Sequence, residues 1–322
     1  MREIPNIPPA GEAYFSPDGI HIITGTKDPD AIKNLNGTLG GLERIFTDTG
    51  TDIVRINDHG QDACSYFFPD GKRVAWTSTR DHMDWPVADW SDPEDYPTGG
   101  EIYSSDLKGG NIIRLTNNKW YEAEVSVSPD GKWVVFGRQV DGMDDLVRVR
   151  ADGSGGEFQI THSPELQEGA PFYMPDGETI MFRAWDRSAQ KKGGPPRTIQ
   201  VYTIKHDGTD LKMHTFDNGV NWHPFPAPDG RHYVFTKFLM DEKDWEVFIG
   251  DLQGDPPLRL TYHKGFDGLA SMSFDGNKVV FGRGQPDVPG TRLYVMDISS
   301  LGLGKDNKWP FMAKNAPGGA GY

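Results

Sequence analysis

An Asp-Gly pair followed by a β-rich run recurs six times along the chain, and this periodicity constrains the fold more than any other feature. The copies are YFSPDGIHIITG from Tyr14, FFPDGKRVAWTS from Phe67, VSVSPDGKWVVFGR from Val125, YMPDGETIMFRA from Tyr173, PAPDGRHYVFTK from Pro226 and MSFDGNKVVFGR from Met272. The residue ahead of each Asp-Gly is Pro17, Pro69, Pro129, Pro175, Pro228 and Phe274, at spacings of 52, 60, 46, 53 and 46 residues. A period of roughly 50 residues fits one four-stranded propeller blade per repeat.

Turn chemistry explains the repeated residues. Proline pre-sets the first turn angle, aspartate caps the next, and glycine takes the positive φ that lets two antiparallel strands reverse. The run that follows ends in an aromatic in five copies, Trp76, Phe136, Phe182, Phe235 and Phe281, and reads as the second strand of each blade. A third strand is read from EIYSSDLKGG (101–110), DLVRVRADGSGG (145–156), WEVFIGDLQG (245–254) and RLYVMDISS (292–300), and a fourth from IIRLT (112–116), EFQIT (157–161) and PLRLT (257–261). The sixth unit lacks a fourth strand. The segment REI at 2–4 has the offset from Pro17 that Thr116 has from Pro129, so the N-terminus is expected to complete that blade, with KWPFMAKN (308–315) as the rival donor. The expected architecture is all-β: a six-bladed β-propeller of four-stranded antiparallel blades over 1–300, closed by a terminal strand, with a C-terminal tail at 301–322.

These SPDG units with their RLT strands resemble the TolB-like, WD-type six-bladed β-propeller family over essentially the whole chain. The resemblance implies a fold that serves elsewhere as a binding platform, a peptidase cap or a lyase scaffold. No G-x-S-x-G nucleophile elbow is present, and DGSGG (152–156) is a glycine-rich hairpin.

A net charge of -14 disfavours a sequence-independent grip on nucleic acid, which needs a basic face, and no apolar run is long enough for a membrane helix. The single cysteine, Cys64, forbids an internal disulfide and reads as a small buried hydrophobe. The first residues contain no apolar signal core. The resemblance implies a periplasmic or secreted protein whose signal lies outside this chain, and a cytoplasmic location is the alternative.

Blade topology turns offsets into positions. The Asp-Gly turns mark the bottom of the disc, and the innermost strands begin at the top with Asp62, Glu122, Glu168, Asn221 and Asp267, a ring expected around the channel mouth. Arg80, Arg138, Arg183, Lys237 and Arg283 follow the second strands on the same face. Mutual pairing is the plain reading of this set. The functional reading is a cation site at Asp62, Glu122, Glu168 and Asp267, since clustered carboxylates offer the oxygen ligands calcium prefers. His59, His263 and His223 also fall on the top face and offer imidazole to a transition metal or to proton transfer. Blade five departs from its sisters there, with Trp222 where they carry Ala or Gly and His223 beside it.

Two long top loops break the symmetry, an acidic, aromatic one at 81–100 with Trp85 and Trp90 and a basic one at 186–197. Loops of that length usually bind or cover something. The expected function is a non-catalytic binding or scaffold propeller that presents its top face and mouth to a protein partner or an oligosaccharide, without a certain cofactor. The alternative is a metal-dependent lyase or hydrolase acting on an acidic saccharide, with His223, His263 and His59 at its centre.

Overall fold

In all six repeats the Asp side chain accepts the backbone N–H two residues on: Ile20 to Asp18 at 3.0 Å, Lys72 to Asp70 at 2.8 Å, Lys132 to Asp130 at 3.1 Å, Glu178 to Asp176 at 2.9 Å, Arg231 to Asp229 at 2.9 Å and Asn277 to Asp275 at 3.0 Å. The following glycine takes φ of 64° to 74° in every copy. Each turn is therefore fixed by a side-chain acceptor and a residue without a Cβ. The computed structural model describes residues 1–27, 41–86, 88, 96–189, 198–285 and 290–313.

These turns join the inner two strands of six four-stranded units. Blade one is Ala10–Phe15, His21–Lys27, Gly41–Thr47 and Val54–Arg55; blade two is Asp62–Phe67, Arg73–Ser78, Glu101–Asp106 and Ile113–Arg114. Blade three is Tyr121–Val127, Trp133–Val140, Met143–Arg150 and Glu157–Gln159; blade four is Leu166–Tyr173, Thr179–Asp186, Ile199–Lys205 and Lys212–Met213. Blade five is Val220–Pro226, His232–Leu239, Asp244–Asp251 and Leu258–Arg259. Blade six has Phe266–Met272, Lys278–Gly284 and Thr291–Asp297, and its outer strand is Arg2–Glu3, antiparallel with Arg2 opposite Val295. Blade six also meets blade one directly, with Ser271 Oγ donating to Ala13 O at 2.6 Å and Thr291 Oγ1 to Ala10 O at 2.6 Å.

The repeated aromatics at the ends of the second strands fill the seams between blades. Trp76, Phe136, Phe182, Phe235 and Phe281 are at most 1% exposed, and burying each such side chain contributes about 1.5–3 kcal/mol. The threonine of the RLT strands has a structural role too. Thr116, Thr161 and Thr261 accept a third-strand N–H at 2.9 Å and donate to the buried carboxylates of Glu101, Glu168 and Glu246. The arginine joins the same acids in two blades, Arg114 on Glu101 and Arg259 on Glu246. The motif thus supplies donors to buried acids, though Glu168 Oε1 is left without one, and needs no ligand to explain it.

An aromatic column runs down the axis. Tyr14, Tyr66, Phe172 and Phe225 from four inner strands pack with ring centres 5.1 to 6.5 Å apart. Phe274 continues the column 6.3 Å from Tyr66 and meets Trp309 at 5.2 Å and Phe311 at 5.1 Å. This accounts for the one repeat without proline: the sixth spends that position on a ring that reaches the axis. The segment 307–311 is pinned below by Asn307 Nδ2 on Phe274 O at 2.7 Å and Lys308 N on Pro228 O at 2.8 Å, and Trp309 is 3% exposed. The described part of the stretch considered as a rival closing strand, 308–313, therefore stoppers the lower end of the channel.

Candidate functional site

Every inner strand carries a β-bulge just below its start. Two residues after Ala10, Asp62, Glu122, Glu168, Asn221 and Asp267 stand Glu12, Cys64, Glu124, Ala170, His223 and Leu269, and in the last five φ is +48° to +60°. Non-glycine residues reach that region at a cost of about 1 kcal/mol or more. Because five blades repeat the conformation, it belongs to the architecture rather than to one site. Its consequence is to turn this residue toward the axis and the one two places before it into the seam between blades.

The expected mouth ring is therefore corrected. Asp62, Glu122, Glu168, Asn221 and Asp267 are at most 4% exposed and lie in the blade seams. Three meet the base expected for them: Glu122 with Arg138 at 2.6 Å, Asp267 with Arg283 through two bonds of 2.7 and 2.6 Å, and Asn221 with Lys237 at 2.9 Å. Asp62 has no guanidinium of its own; Asn57 donates to it at 2.7 Å while Arg80 binds the other end of Asn57 at 3.0 Å. Burial pushes Asp62 up to about 7 and Glu168 up to about 8. Arg183 does not reach Glu168, because its register partner is Gly169; it turns instead to Glu124 of blade three, Nη2 to Oε1 at 2.6 Å.

What faces the axis above the aromatic column is a polar cup. Glu12 Oε1 accepts from Tyr14 Oη, His223 Nε2 stands 2.9 Å from the same hydroxyl and 3.8 Å from Glu12 Oε1, and Cys64 Sγ points to Glu12 Oε2 at 3.5 Å. Burial pushes Glu12 upward, but bonds and charge from His223, with bonds from Tyr14 and Cys64, outweigh it and leave the carboxyl below its ordinary value. Burial, with Glu12 and Glu124 nearby, raises the Cys64 thiol well above the usual range, so it rests protonated. Glu12 and Glu124 keep 25% and 22% of their side chains exposed, so solvent reaches the cup. On one rim Trp222 packs edge-on against Trp245 at 5.7 Å, with Phe238 and Phe266 4.9 and 6.1 Å from Trp245, and all four are half-buried.

A search of protein-family models matches none. An uncharacterised protein of Agrobacterium fabrum is 27% identical over 181 residues, which is 53% of each chain, so this chain spans about half the length of that relative. Among solved structures, TolB from Acinetobacter baumannii superposes with a TM-score of 0.63 at 18% identity, over 89% of this chain and 60% of its own. Oligogalacturonate lyase from Vibrio parahaemolyticus gives 0.56 at 13%, over 91% and 77%. The fold is that of the TolB-like β-propellers.

The remaining expected residues of this TolB-like propeller are dispersed. His59 is half-exposed beside Asp58 at 2.6 Å, and His263 has a buried Nε2 without a partner. Trp85 stacks on His82 at 3.9 Å, while Trp90 lies outside the described residues. Among the described residues no three of His, Cys, Asp and Glu converge on a metal position, and Asp62, Glu122, Glu168 and Asp267 each keep separate partners. Of the three axial groups Glu12, Cys64 and Glu124, sequence reasoning passed over all as site residues. The signal for them was their shared place two residues after Ala10, Asp62 and Glu122 in the repeat.

Proposed function

We propose a non-catalytic binding or scaffold propeller that takes a protein or glycan partner on its top face, at the mouth. The observation that carries this reading is the half-buried Trp222, Trp245, Phe238 and Phe266 ledge beside an open polar cup, in the blade that departs from the repeat. Aromatic anchors next to adaptable polar groups are what both protein hot spots and sugar sites use. The lower end is stoppered by Phe274, Trp309 and Phe311, while at the upper end Glu12 and Glu124 keep 25% and 22% of their side chains exposed. The net charge of -14 supports a partner other than nucleic acid, and among the described residues no helix is long and apolar enough to cross a membrane. The TolB likeness supports a periplasmic or secreted setting. The propeller is taken as one domain over 1–300, with the described part of the tail packed beneath it.

A glycan array and a purified partner, each probed with wild type and Trp222→Ala, test the reading. Loss of ~tenfold or more in affinity is expected for the variant, and unchanged retention overturns it. A second reading, a metal-dependent lyase or hydrolase acting on an acidic saccharide, draws on the fold likeness to the oligogalacturonate lyase. Stoichiometric transition metal in the purified protein, together with activity lost in His223→Ala, would favour that reading.

A further inference from the structure

The seam between blades three and four holds polar groups that the fold does not satisfy. Arg183 is 5% exposed, and its Nη2 is committed to Glu124 Oε1, yet Nε and Nη1 are buried without an acceptor. Asp144, also 5% exposed, takes a place in the same seam: its backbone N–H donates to Gln167 Oε1 of blade four at 3.0 Å, while its Oδ1 is buried without a donor. Leaving such groups unmet costs about 1–3 kcal/mol each, more when charged. Elsewhere in the ring the corresponding bases are spent on acids of their own blade, as with Arg138 and Arg283.

Glycine and aromatic neighbours frame the guanidinium. Gly169 is required because a Cβ there would stand 2.4 Å from both Arg183 Nη1 and Glu124 Oε2, so the backbone leaves that space to the guanidinium. Tyr96 stacks flat on Tyr121 at 4.1 Å and lies within electrostatic range of Arg183, Glu124 and Asp144. The Trp185 ring lies 5.0 Å from the guanidinium carbon. Glu124, 22% exposed, both pairs with Arg183 in this seam and belongs to the cup.

We propose that the seam at Arg183 and Asp144 binds a hydroxycarboxylate, its carboxylate accepting from Arg183 and a hydroxyl donating to Asp144 Oδ1. A guanidinium is suited to a carboxylate by charge and by planar donor geometry. The hydroxycarboxylate could be a sugar acid or a small free hydroxy acid. The proposal rests on the reading that the mouth is a ligand site, and it assigns the chemistry of the ligand there.

Isothermal titration of the full chain with galacturonate, lactate and galactose tests it, for wild type, Arg183→Lys and Asp144→Asn. Wild type is expected to bind galacturonate or lactate, whichever of the two binds naming the source, and to bind galactose ~tenfold or more weakly. Arg183→Lys, which keeps the charge opposite Glu124 and loses the planar donors, is expected to weaken carboxylate binding by ~tenfold or more. Asp144→Asn serves as the second variant should the first not fold. Absence of carboxylate binding in wild type, galactose binding as tight as galacturonate, or a folded variant with unchanged affinity overturns the proposal. The top-face reading fails separately: partner or glycan retention indifferent to Trp222→Ala sinks that reading and leaves an Arg183-dependent carboxylate site standing.

Discussion

The two ends of the channel are built from the same six strands and have opposite characters. At the lower end the turns obey the repeat and their donors and acceptors meet, while the axis is filled by Phe274, the one departure from proline, with Trp309 and Phe311. At the upper end the six blades present five kinds of side chain at one position, Glu12, Cys64, Glu124, Ala170, His223 and Leu269, and buried polar atoms on Arg183, Asp144 and His223 Nδ1 lack partners. Stability resides in what repeats. Binding capacity resides in what does not.

That contrast can be broken by mutation. Phe225→Ala, in the centre of the column and 2% exposed, is expected to cost about 3–5 kcal/mol, read as a lower urea midpoint. Trp309→Ala should cost about 3 kcal/mol, the low end of that range, since Trp309 packs on the column from one side only, against Phe274. A loss below about 1 kcal/mol would mean that the tail does not stopper the channel.

A smaller, pH-dependent effect is expected at Glu43, which is fully buried with Ser65 Oγ donating to it at 2.5 Å. Burial raises its carboxyl from 4.5 to about 8. The folded state therefore holds the proton more tightly than the unfolded chain, and this contribution to stability is full below 4.5 and is lost as pH rises through about 8. Asp62, Asp144 and Glu168 act in the same direction, and Glu12, held low, opposes them. Glu43→Gln should flatten the decline in denaturation midpoint between pH 5 and 8, windows of roughly this span being where such carboxyls titrate; a slope identical to wild type would show that Glu43 is ionised in the folded protein. The smallest expected change in stability is that of Trp222→Ala, below about 1 kcal/mol for a half-buried rim side chain, in the same variant expected to lose its partner.

The blades were legible because Asp-Gly turns and the following β-rich runs follow local rules that no tertiary contact overrides. The exception at Phe274 was visible as an exception, but its reason was not, since the rings it meets come from residues 35 and 37 positions later, Trp309 and Phe311. The mouth was misread for one physical cause. Counting from Asp62, Glu122, Glu168, Asn221 and Asp267 assumed unbroken strands, whereas the bulge sends those residues into the seams and brings the residue two places on to the axis. Nothing in Cys64, Glu124, Ala170, His223 or Leu269 announces a left-handed backbone, which glycine and asparagine usually supply. Trp222 and His223 were legible as departures from the repeat, and the structure sets one on the aromatic rim and the other in the cup.

The central claim is that the partner is taken at the upper mouth. The most direct measurement is a crystal structure of the propeller with the tightest glycan or partner segment found by the array and binding assays. Density over Glu12, Glu124 and His223 and against the Trp222 ledge is the predicted result. Density confined to the lower end around Trp309, or to the outer faces of the blades, would contradict it.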